Sequence, residues 1–347
     1  MIDLRSDTIT RPTPGMLTAM ASAEVGDDVF GDDPSVARLE LRVAELLGHE
    51  AGLLCTSGSL ANLLGVWLHA APGTEVLCDQ VAHIARAEMG AHAALHGITT
   101  RTWGSTAGRV VAEDVLRLVA VDCGPFLVET SCVAVEDTSN FGGGSVQDPA
   151  ELRELSQALA GMGVRRHLDG ARLANAAAVT GVPLAEYGRL FDSVSLCLSK
   201  GLGAPIGSVL VGSAADIARA RIQRKRLGGG WRQAGLLAAA GLWALEHHLP
   251  RIGEDHQAAA AFAHEVTSCA PEALAQQPET NIVLLNCASA PSLIAAAADA
   301  GVRLTALGPN QVRAVTHLDI SLEQCIEAGQ IVGELLASPP QLPHQPG

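Results

Sequence analysis

Apolar residues follow two alternating periods along most of the chain. From Pro34, the segment PSVARLELRVAELLGHE predicts a helix whose first turn contains the proline and whose apolar face carries Leu39, Val43, Leu46 and Leu47. Short apolar, β-branched runs follow, separated by segments long enough for crossover helices: AGLLCT, TEVLCD, GITTRTW, PFLVETSCVAVE, VRRHLD, FDSVSLCLS and GSVLVG. This alternation predicts an α/β fold with one large, mostly parallel sheet of seven strands.

The pattern changes at Trp231. Two alanine-rich helical stretches, WRQAGLLAAAGLWALEHHL and RIGEDHQAAAAFAHEVTSCA, are separated by Pro250, which interrupts a helix. NIVLLN, a helix after Pro291, QVRAVTHL and a last helix then predict a smaller α+β domain. The predicted division has three parts: a large domain with its amino-terminal arm over residues 1–249, a small domain over 250–337 and a proline-rich disordered tail over 338–347.

Composition narrows the class of protein. The chain has 347 residues, 23 basic and 37 acidic side chains, a net charge of −14 and few aromatic residues, which argues against a nucleic-acid partner. Its longest apolar stretch, residues 234–245, is shorter than the roughly twenty residues that cross a bilayer, so no membrane span is expected. The amino terminus lacks an apolar signal segment, and the scattered cysteines form no C-x-x-C pair. We therefore expect a cytoplasmic protein with reduced thiols and no metal site.

The chain contains only two lysines, Lys200 and Lys225. Lys200 ends the apolar run VSLCLS and precedes GLGAPIGS, so a strand brings it to a glycine-rich loop at the carboxyl edge of the sheet, where α/β proteins hold their ligands. An amine in such a place can attack a carbonyl carbon and form a Schiff base. The alternative is a lysine that extends from a strand end into solvent. Lys225, within RIQRKRLGGG, is expected to face solvent or a phosphate group.

Two further segments point to the same edge of the sheet. HLDGAR ends a strand at Asp169, where a carboxylate can bind a protonated ring nitrogen or, alternatively, cap the next helix. Asp169 and Lys200 are separated by the length of one strand–helix–strand unit, so both can face one ligand. In TSGSLANLLGVWL, Gly58 and Ser59 begin an apolar helix whose first N–H groups can bind a phosphate, with plain N-capping as the alternative.

Taken in order, several segments resemble the low-specificity threonine aldolases, pyridoxal-phosphate enzymes of fold type I: RSDTITRP, GDDVFGDDP, TSGSLAN, QVAHIARAEMG, HLDGAR, CLSKGLGAPIGSVLVG, GGGWRQAGLLAAAG and VTHLD. The resemblance covers about residues 2–335. It implies pyridoxal 5'-phosphate as cofactor and a β-hydroxy-α-amino acid, such as L-threonine or L-allo-threonine, as substrate. Cleavage of the Cα–Cβ bond would give glycine and an aldehyde. The resemblance also implies a homodimer or homotetramer whose active site is shared between subunits.

The resemblance assigns three catalytic residues. Lys200 would bind the cofactor covalently, and Asp169 would bind the nitrogen of the pyridine ring. His83, in QVAHIA, would stack on the ring and lie near the substrate hydroxyl. Without this resemblance, a single histidine at that position is more simply interpreted as structural.

The resemblance also assigns groups that bind anions. The substrate carboxylate would be held by Ser6, Arg172 and Arg313. The cofactor would be held, besides the catalytic residues, by Gly58, Ser59, Arg172 and Arg232, the last from the neighbouring subunit. A protein of net charge −14 needs such local cations to bind a phosphate and a carboxylate, and arginine offers planar two-point contacts.

Two positions differ from the family's usual sequence. Residues 136–140 read EDTSN instead of ENTHN, which puts Ser139 in place of a histidine, and Phe30 stands where tyrosine is frequent. Loss of the imidazole leaves His83 or a bound water to accept the proton of the substrate hydroxyl. Other reactions on the same cofactor therefore stay open, namely β-elimination, racemisation or an aldol reaction with an uncommon aldehyde, as does a catalytically silent binder. A nicotinamide enzyme is disfavoured, because no G-x-G-x-x-G follows a first strand.

Overall fold

The computed structural model describes residues 1–338, so the predicted tail lies, apart from its first residue, outside the described part of the chain. The strands are β1 Ile2–Asp3, β2 Ala51–Cys55, β3 Glu75–Asp79, β4 Thr99–Trp103, β5 Thr130–Glu136, β6 Arg165–Gly170, β7 Ser193–Cys197, β8 Ser208–Gly212, β9 Ile282–Asn286, β10 Val302–Arg303, β11 Thr305–Gly308 and β12 Gln311–Val315. The helices are α1 Pro14–Ala21, α2 Pro34–Leu47, α3 Gly58–His69, α4 His83–Arg86, α5 Ala91–His96, α6 Ala112–Leu116, α7 Pro149–Gly161, α8 Leu173–Thr180, α9 Leu184–Gly188, α10 Ala214–Arg226, α11 Gly235–His247, α12 Ile252–Cys269, α13 Ala290–Asp299 and α14 Leu322–Ala337. Two short 3-10 helices cover Asp7–Ile9 and Leu249–Arg251.

Seven strands form the large sheet, in the order β2-β8-β7-β6-β5-β3-β4. Strands β4, β3, β5, β6 and β7 pair in parallel, whereas β8 pairs antiparallel with β7 and with β2. The predicted large, mostly parallel sheet is therefore confirmed. Strand β5 starts at Thr130 rather than at Pro125, because its partner β3 begins at Glu75, opposite Thr130. Phe126 consequently lies outside the sheet and is 91% exposed.

Helices cover the large sheet, and this burial explains its continuous apolar runs. Every residue of β3, β7 and β8 is buried, as expected for central strands with helices on both faces. Helix α3 packs against β7 and β8, while α2 and α11 pack against each other near β2. None of the helices within residues 1–338 combines the length and the apolar character needed to cross a membrane.

A second apolar core lies around α12, α14 and the antiparallel sheet β11-β12-β9. Pro250 interrupts the helical path as predicted, since a 3-10 turn separates α11 from α12. Ile2 and Leu4 belong to this second core, because β1 pairs in parallel with β10. The first residues thus pack with the carboxy-terminal part of the chain, although the sequence pattern placed them with the large sheet. The division at residue 249 stays a prediction.

Helix α9 approaches α2 at Gly188, and this contact gives a test of the packing. A methyl group added at Gly188 would overlap the backbone carbonyl of Leu47, so we expect Gly188→Ala to destabilise the protein by about 1–3 kcal/mol. At Gly161, the last residue of α7, an added methyl group meets no described atom within 4 Å. Gly161→Ala is the control and should be neutral or stabilising by up to about 1 kcal/mol. Urea unfolding of both variants measures the difference, and equal effects would contradict this packing.

Candidate active site

The strand ends of β6 and β7 bring Asp169 and Lys200 to one edge of the large sheet. Asp169 lies near the end of β6 and stands in register with Glu136 of β5 and Ser195 of β7. Lys200 follows β7 in the turn before β8, is half-buried, and its carbonyl oxygen accepts a hydrogen bond from Thr10 Oγ1 (3.4 Å). The two residues therefore lie where the sequence pattern predicts them.

The first turn of α3 lies against Asp169. This helix begins with Gly58 and Ser59, and one turn later the buried Asn62 side chain faces the sheet. Asn62 Nδ2 donates to Asp169 Oδ2 (2.7 Å) and to Glu88 Oε1 (2.9 Å). Helix α3 therefore supplies the group that fixes the Asp169 carboxylate, as well as the free N–H groups of a helix start.

A buried hydroxyl lies beside the first turn of α3. Ser208 Oγ is 3.6 Å from the point where a Cβ at Gly58 would lie, and it has no hydrogen-bond partner among residues 1–338. Buried polar atoms are normally paired, so this hydroxyl is available to an acceptor. Together with the N–H groups of Gly58 and Ser59, it forms a set of donors suited to an anion.

His83 is held between two carboxylates. Its Nδ1 lies 2.8 Å from Glu88 Oε1, and its backbone N–H donates to Glu136 Oε2 (2.6 Å). The hydrogen bond to Glu88 raises the pKa of His83, while burial raises the pKa of Glu88. Because Glu88 occupies Nδ1, the other ring nitrogen, Nε2, is left to meet a ligand.

His83, Glu88 and Asp169 bring their ligand-type atoms within 4.8 Å of one another. Three such side chains also resemble part of a metal site. In this protein, however, they hydrogen-bond to Asn62 and to each other, which accounts for their proximity. The absence of a metal site stays a prediction.

Glu136 connects His83 to the residues on the other side of the site. Its second oxygen, Oε1, accepts a hydrogen bond from the backbone N–H of Asn140 (2.8 Å). Burial, and after it the charge of Asp169, raises the pKa of Glu136 to about 7. Glu136 begins the segment EDTSN, whose sequence alone predicts no role for it in the site.

Arg172 is already bound by a carboxylate. Its Nε and Nη2 donate to the two oxygens of Asp7, both at 2.7 Å, and the two side chains are buried. Burial by itself raises the pKa of Asp7, but the Arg172 guanidinium outweighs it and lowers the pKa to about 2. Arg172 Nη1 donates to Asn140 Oδ1 (3.1 Å). The charge of the predicted carboxylate-binding arginine is thus largely neutralised by Asp7, a residue that was not among the predicted site residues.

Arg313 and Arg172 donate to the same oxygen, Oδ1 of Asn140. Arg313 Nη1 donates to Asn140 Oδ1 (2.8 Å) and its Nη2 to the carbonyl oxygen of Arg5 (3.3 Å), while its buried Nε has no partner within the described part of the chain. Burial, with a smaller contribution from the charge of Arg172, lowers the pKa of Arg313 to about 10. A buried arginine with a free donor is suited to bind an anion.

Two predicted site residues make other contacts. Ser6 Oγ accepts hydrogen bonds from the backbone N–H (3.2 Å) and the hydroxyl (2.8 Å) of Thr8, so it caps a short helix beside Asp7. Arg232 is 63% exposed and pairs with Asp27 at 3.1 Å. The roles predicted for Ser6 and Arg232 stay predictions. Lys225, on α10, is exposed, in agreement with the solvent-facing alternative.

Ser139 is enclosed in a tight turn. Its backbone N–H donates to the carbonyl oxygen of Ser145 (3.0 Å), and its hydroxyl accepts from the N–H of Gly142 (3.2 Å). A methyl group added at Gly108 or at Gly142 would overlap its side chain. The Ser139 hydroxyl therefore stabilises the turn, and a neutral hydroxyl cannot replace an imidazole as the base for a substrate proton. Phe30, the other departure from the family, is exposed.

Four residues of the site were not predicted from the sequence: Asp7, Glu88, Glu136 and Asn140. Each has a partner more than twenty residues away, namely Arg172, Asn62, His83 and Arg313 in that order, so no local pattern marks them. Asn62 had a detectable signal, since it is a polar residue within the otherwise apolar stretch LANLLGVWL, one turn after Gly58.

Comparison with known proteins connects this arrangement to a family. A family model described as beta-eliminating lyase matches residues 3–290. The low specificity L-threonine aldolase of Escherichia coli K12 is 38% identical over 94% of this chain and 97% of its own length. Low-specificity L-threonine aldolase 1 of Arabidopsis thaliana is 40% identical over 76% of this chain and 74% of its own.

Solved structures share the fold. The threonine aldolase of Leishmania major covers 97% of this chain and 100% of its own, with a TM-score of 0.84 and 21% sequence identity. A serine palmitoyltransferase of Sphingomonas wittichii covers 96% of this chain and 88% of its own, with a TM-score of 0.74 and 16% identity. The predicted fold type I architecture is therefore confirmed.

The buried pair of Asp7 and Arg172 gives a stability prediction. Asp7→Asn leaves the Arg172 charge buried without its counter-charge, so we expect a loss of about 3 kcal/mol in the free energy of unfolding. Because the pKa of Asp7 lies at about 2 in the folded protein and near 3.9 in an unfolded chain, the pair contributes fully above about pH 4. The deficit of the variant should accordingly be constant from pH 5 to 8 and become smaller only as the pH falls from about 4 towards 2.

Asp3→Asn is the matched control, because Asp3 pairs with the exposed Arg5. We expect it to cost only a small fraction of the loss seen for Asp7→Asn. Urea unfolding at several pH values measures both variants. Similar losses in the two variants would show that the buried pair does not stabilise the protein.

Proposed function

The chain belongs to the beta-eliminating lyase family, and from this premise we propose that it is a pyridoxal-phosphate-dependent aldehyde lyase of the threonine aldolase type. Its substrates would be L-threonine, L-allo-threonine and related β-hydroxy-α-amino acids, which it would cleave to glycine and an aldehyde. The observation that carries this proposal is the arrangement at one sheet edge: an amine at Lys200, the Asp169 carboxylate and the buried arginines that meet at Asn140.

The residues present suit the cofactor. Lys200 would bind it covalently, Asp169 would pair with its ring nitrogen, and the first turn of α3 with the unpaired Ser208 hydroxyl would bind its phosphate. When bound, the cofactor supplies an electron-withdrawing ring that accepts the electrons of the broken Cα–Cβ bond. Asn62 keeps the Asp169 carboxylate oriented by donating to Oδ2.

The substrate carboxylate would be held by Arg313. Arg172 is paired with Asp7, whereas Arg313 keeps a buried, unpartnered Nε within the described residues and shares Asn140 with Arg172. Holding the carboxylate at one fixed point orients the bonds around Cα, and bond orientation decides which of them breaks. Arg313 is thus the residue that would select Cα–Cβ cleavage.

His83 would accept the proton of the substrate hydroxyl. Its Nδ1 donates to Glu88, so in the neutral ring Nε2 carries the lone pair. Glu88 favours the charged imidazole, which makes His83 a stronger base once it is neutral. Since the Ser139 hydroxyl belongs to a turn, the loss of the family's histidine at that position leaves this task to His83.

We extend the proposal to assembly and compartment. Large apolar side chains are exposed beside the site segments, namely Phe30 and Met89, as expected for a surface that a second copy covers. The exposed Arg232 would reach the cofactor phosphate of that copy in a dimer or tetramer.

All eight cysteines are free, as in a reducing compartment, and we infer that the protein acts in the cytoplasm.

Substitution of each lysine tests the proposal. The protein, incubated with pyridoxal 5'-phosphate, should convert L-threonine to glycine and acetaldehyde, and borohydride reduction followed by peptide mapping should find the cofactor on Lys200. Lys200→Ala should lower turnover by at least about a thousandfold, because it removes the nucleophilic amine, and the remaining contacts to the cofactor cannot replace that amine. Lys225→Ala is the matched control and should retain full activity, because Lys225 is exposed. Release of ammonia and a keto acid would instead identify an eliminating enzyme, and bound cofactor without turnover a silent binder.

Replacement of His83 separates its chemistry from its packing. His83→Asn keeps a donor for Glu88 but removes the ring nitrogen that accepts the hydroxyl proton. We expect kcat for L-threonine cleavage to fall by roughly a hundredfold or more, with a much smaller change in the dissociation constant of pyridoxal 5'-phosphate. Equal losses in both quantities would show that His83 has only a structural role.

A further inference from the structure

A continuous series of hydrogen bonds runs through the protein interior to Asp169. His69 Nε2 lies 2.8 Å from Ser193 Oγ, which lies 2.8 Å from His167 Nδ1. His167 Nε2 lies 3.1 Å from Asn62 Oδ1, and Asn62 Nδ2 donates to Asp169 Oδ2 at 2.7 Å. All five side chains are buried. We call His69, Ser193, His167 and Asn62 the polar chain.

The Asn62 amide fixes the direction of the first link. Ionised carboxylates only accept hydrogen bonds, so Nδ2 must face Asp169 and Glu88, which uses both of its hydrogens. The amide oxygen therefore accepts, from the Ser195 hydroxyl (2.6 Å) and from His167. His167 consequently carries a hydrogen on Nε2.

The remaining links follow from the charge of His167. Burial lowers the pKa of His167 to about 4, so the ring is neutral and Nδ1 has no hydrogen. Nδ1 must then accept the Ser193 hydroxyl hydrogen, and Ser193 Oγ in turn accepts from His69 Nε2. Every hydrogen in the polar chain thus points towards Asp169.

A glycine makes room for this arrangement. Gly65 lies on α3 one turn after Asn62, and a methyl group added there would overlap the imidazole of His167. Because Gly65 has no side chain, α3 packs directly against the imidazole, and this contact keeps His167 at hydrogen-bond distance from Asn62. Packing and hydrogen bonding restrict the ring to one position.

We propose that Asn62, His167, Ser193 and His69 are positioning residues that hold Asp169 as an ionised acceptor for the ring nitrogen of the cofactor. This inference rests on the proposed function. Donation to the charged form of a carboxylate favours that form, and aligned hydrogen bonds strengthen one another. The polar chain would not itself contact the cofactor and would act on it only through Asp169.

Several titratable groups face Asp169. Burial and the charge of Asp169 both raise the pKa of Glu88, after β3, and of Glu136, on β5. The hydrogen bond to Glu88 and the charge of Asp169 raise the pKa of His83, which also lies near Lys200. The amide of Asn62 donates to Asp169 and to Glu88 at once, so one side chain holds both of these neighbouring carboxyl groups.

Histidine tautomers test the direction of the polar chain without any cofactor. In the cofactor-free protein labelled with 15N-histidine, NMR should show His167 as the neutral tautomer with hydrogen on Nε2, unchanged between pH 5.5 and 8.5. The signal is assigned by its loss in His167→Gln. A charged ring, or hydrogen on Nδ1, would overturn the proposal.

A pair of buried asparagines tests the effect on Asp169. Asn62 and Asn175 are each 2% exposed and each bind a histidine, but Asn175 binds His256 (2.8 Å) instead of joining the polar chain. Asn62→Leu should weaken the binding of pyridoxal 5'-phosphate at pH 7 by about tenfold or more, the effect of losing a hydrogen bond to a charged group. It should also move the acid side of the binding profile to higher pH. Asn175→Leu should change neither.

Ser193→Ala keeps the proposal testable if Asn62→Leu does not fold. It removes a single oxygen that lies three hydrogen bonds away from Asp169, and we expect a shift of the acid side of the binding profile in the same direction, with about a threefold loss of affinity. Equal profiles for Asn62→Leu and Asn175→Leu, or a loss of thermal stability alone in Ser193→Ala, would overturn the proposal. A parent protein that does not bind the cofactor would overturn the proposed function as well, which distinguishes the two failures.

Discussion

Buried carboxylates at the carboxyl edge of the large sheet require hydrogen-bond donors, and the candidate site consists largely of those donors. A carboxylate removed from water without a partner costs several kcal/mol or becomes protonated. Four such groups lie here, namely Asp7, Glu88, Glu136 and Asp169. Their partners are the Arg172 guanidinium, the Asn62 amide, the His83 ring and the backbone N–H groups of His83 and Asn140. Because these donors come from distant segments, the site forms only when the whole large domain is folded.

The amino-terminal segment connects this site to the second apolar core. Ile2 and Leu4 pack in that core, the carbonyl oxygen of Arg5 accepts from Arg313, and Asp7 binds Arg172. Within the first seven residues, some side chains therefore pack in the second core while others contact residues of the candidate site. Asp7 also divides the two arginines into different roles, since it neutralises Arg172 and leaves Arg313 as the cation that a substrate carboxylate would meet.

The sequence predicts those features of the molecule that depend on neighbouring residues within a short segment. Seven strands could be predicted because each is a short apolar run, and Lys200 and Asp169 could be placed because residues after parallel strands collect at one edge. Asp7 and Asn140 could not be placed, since their importance depends on side chains more than thirty residues away. The start of β5 was misjudged for a similar reason, because it depends on where β3 begins.

The replacement of the family's histidine by Ser139 is best understood together with its neighbours. Gly108 and Gly142 lie so close to Ser139 that even a methyl group on either would overlap its side chain. An imidazole at this position would therefore require a wider turn, so the serine and the two glycines form one compatible set. The backbone N–H of the adjacent Asn140 binds Glu136, and its side chain binds both arginines, so widening the turn would also disturb the groups proposed to bind the substrate. Position 139 thus contributes to the shape of the site, and the proposed acceptance of the substrate proton rests on His83.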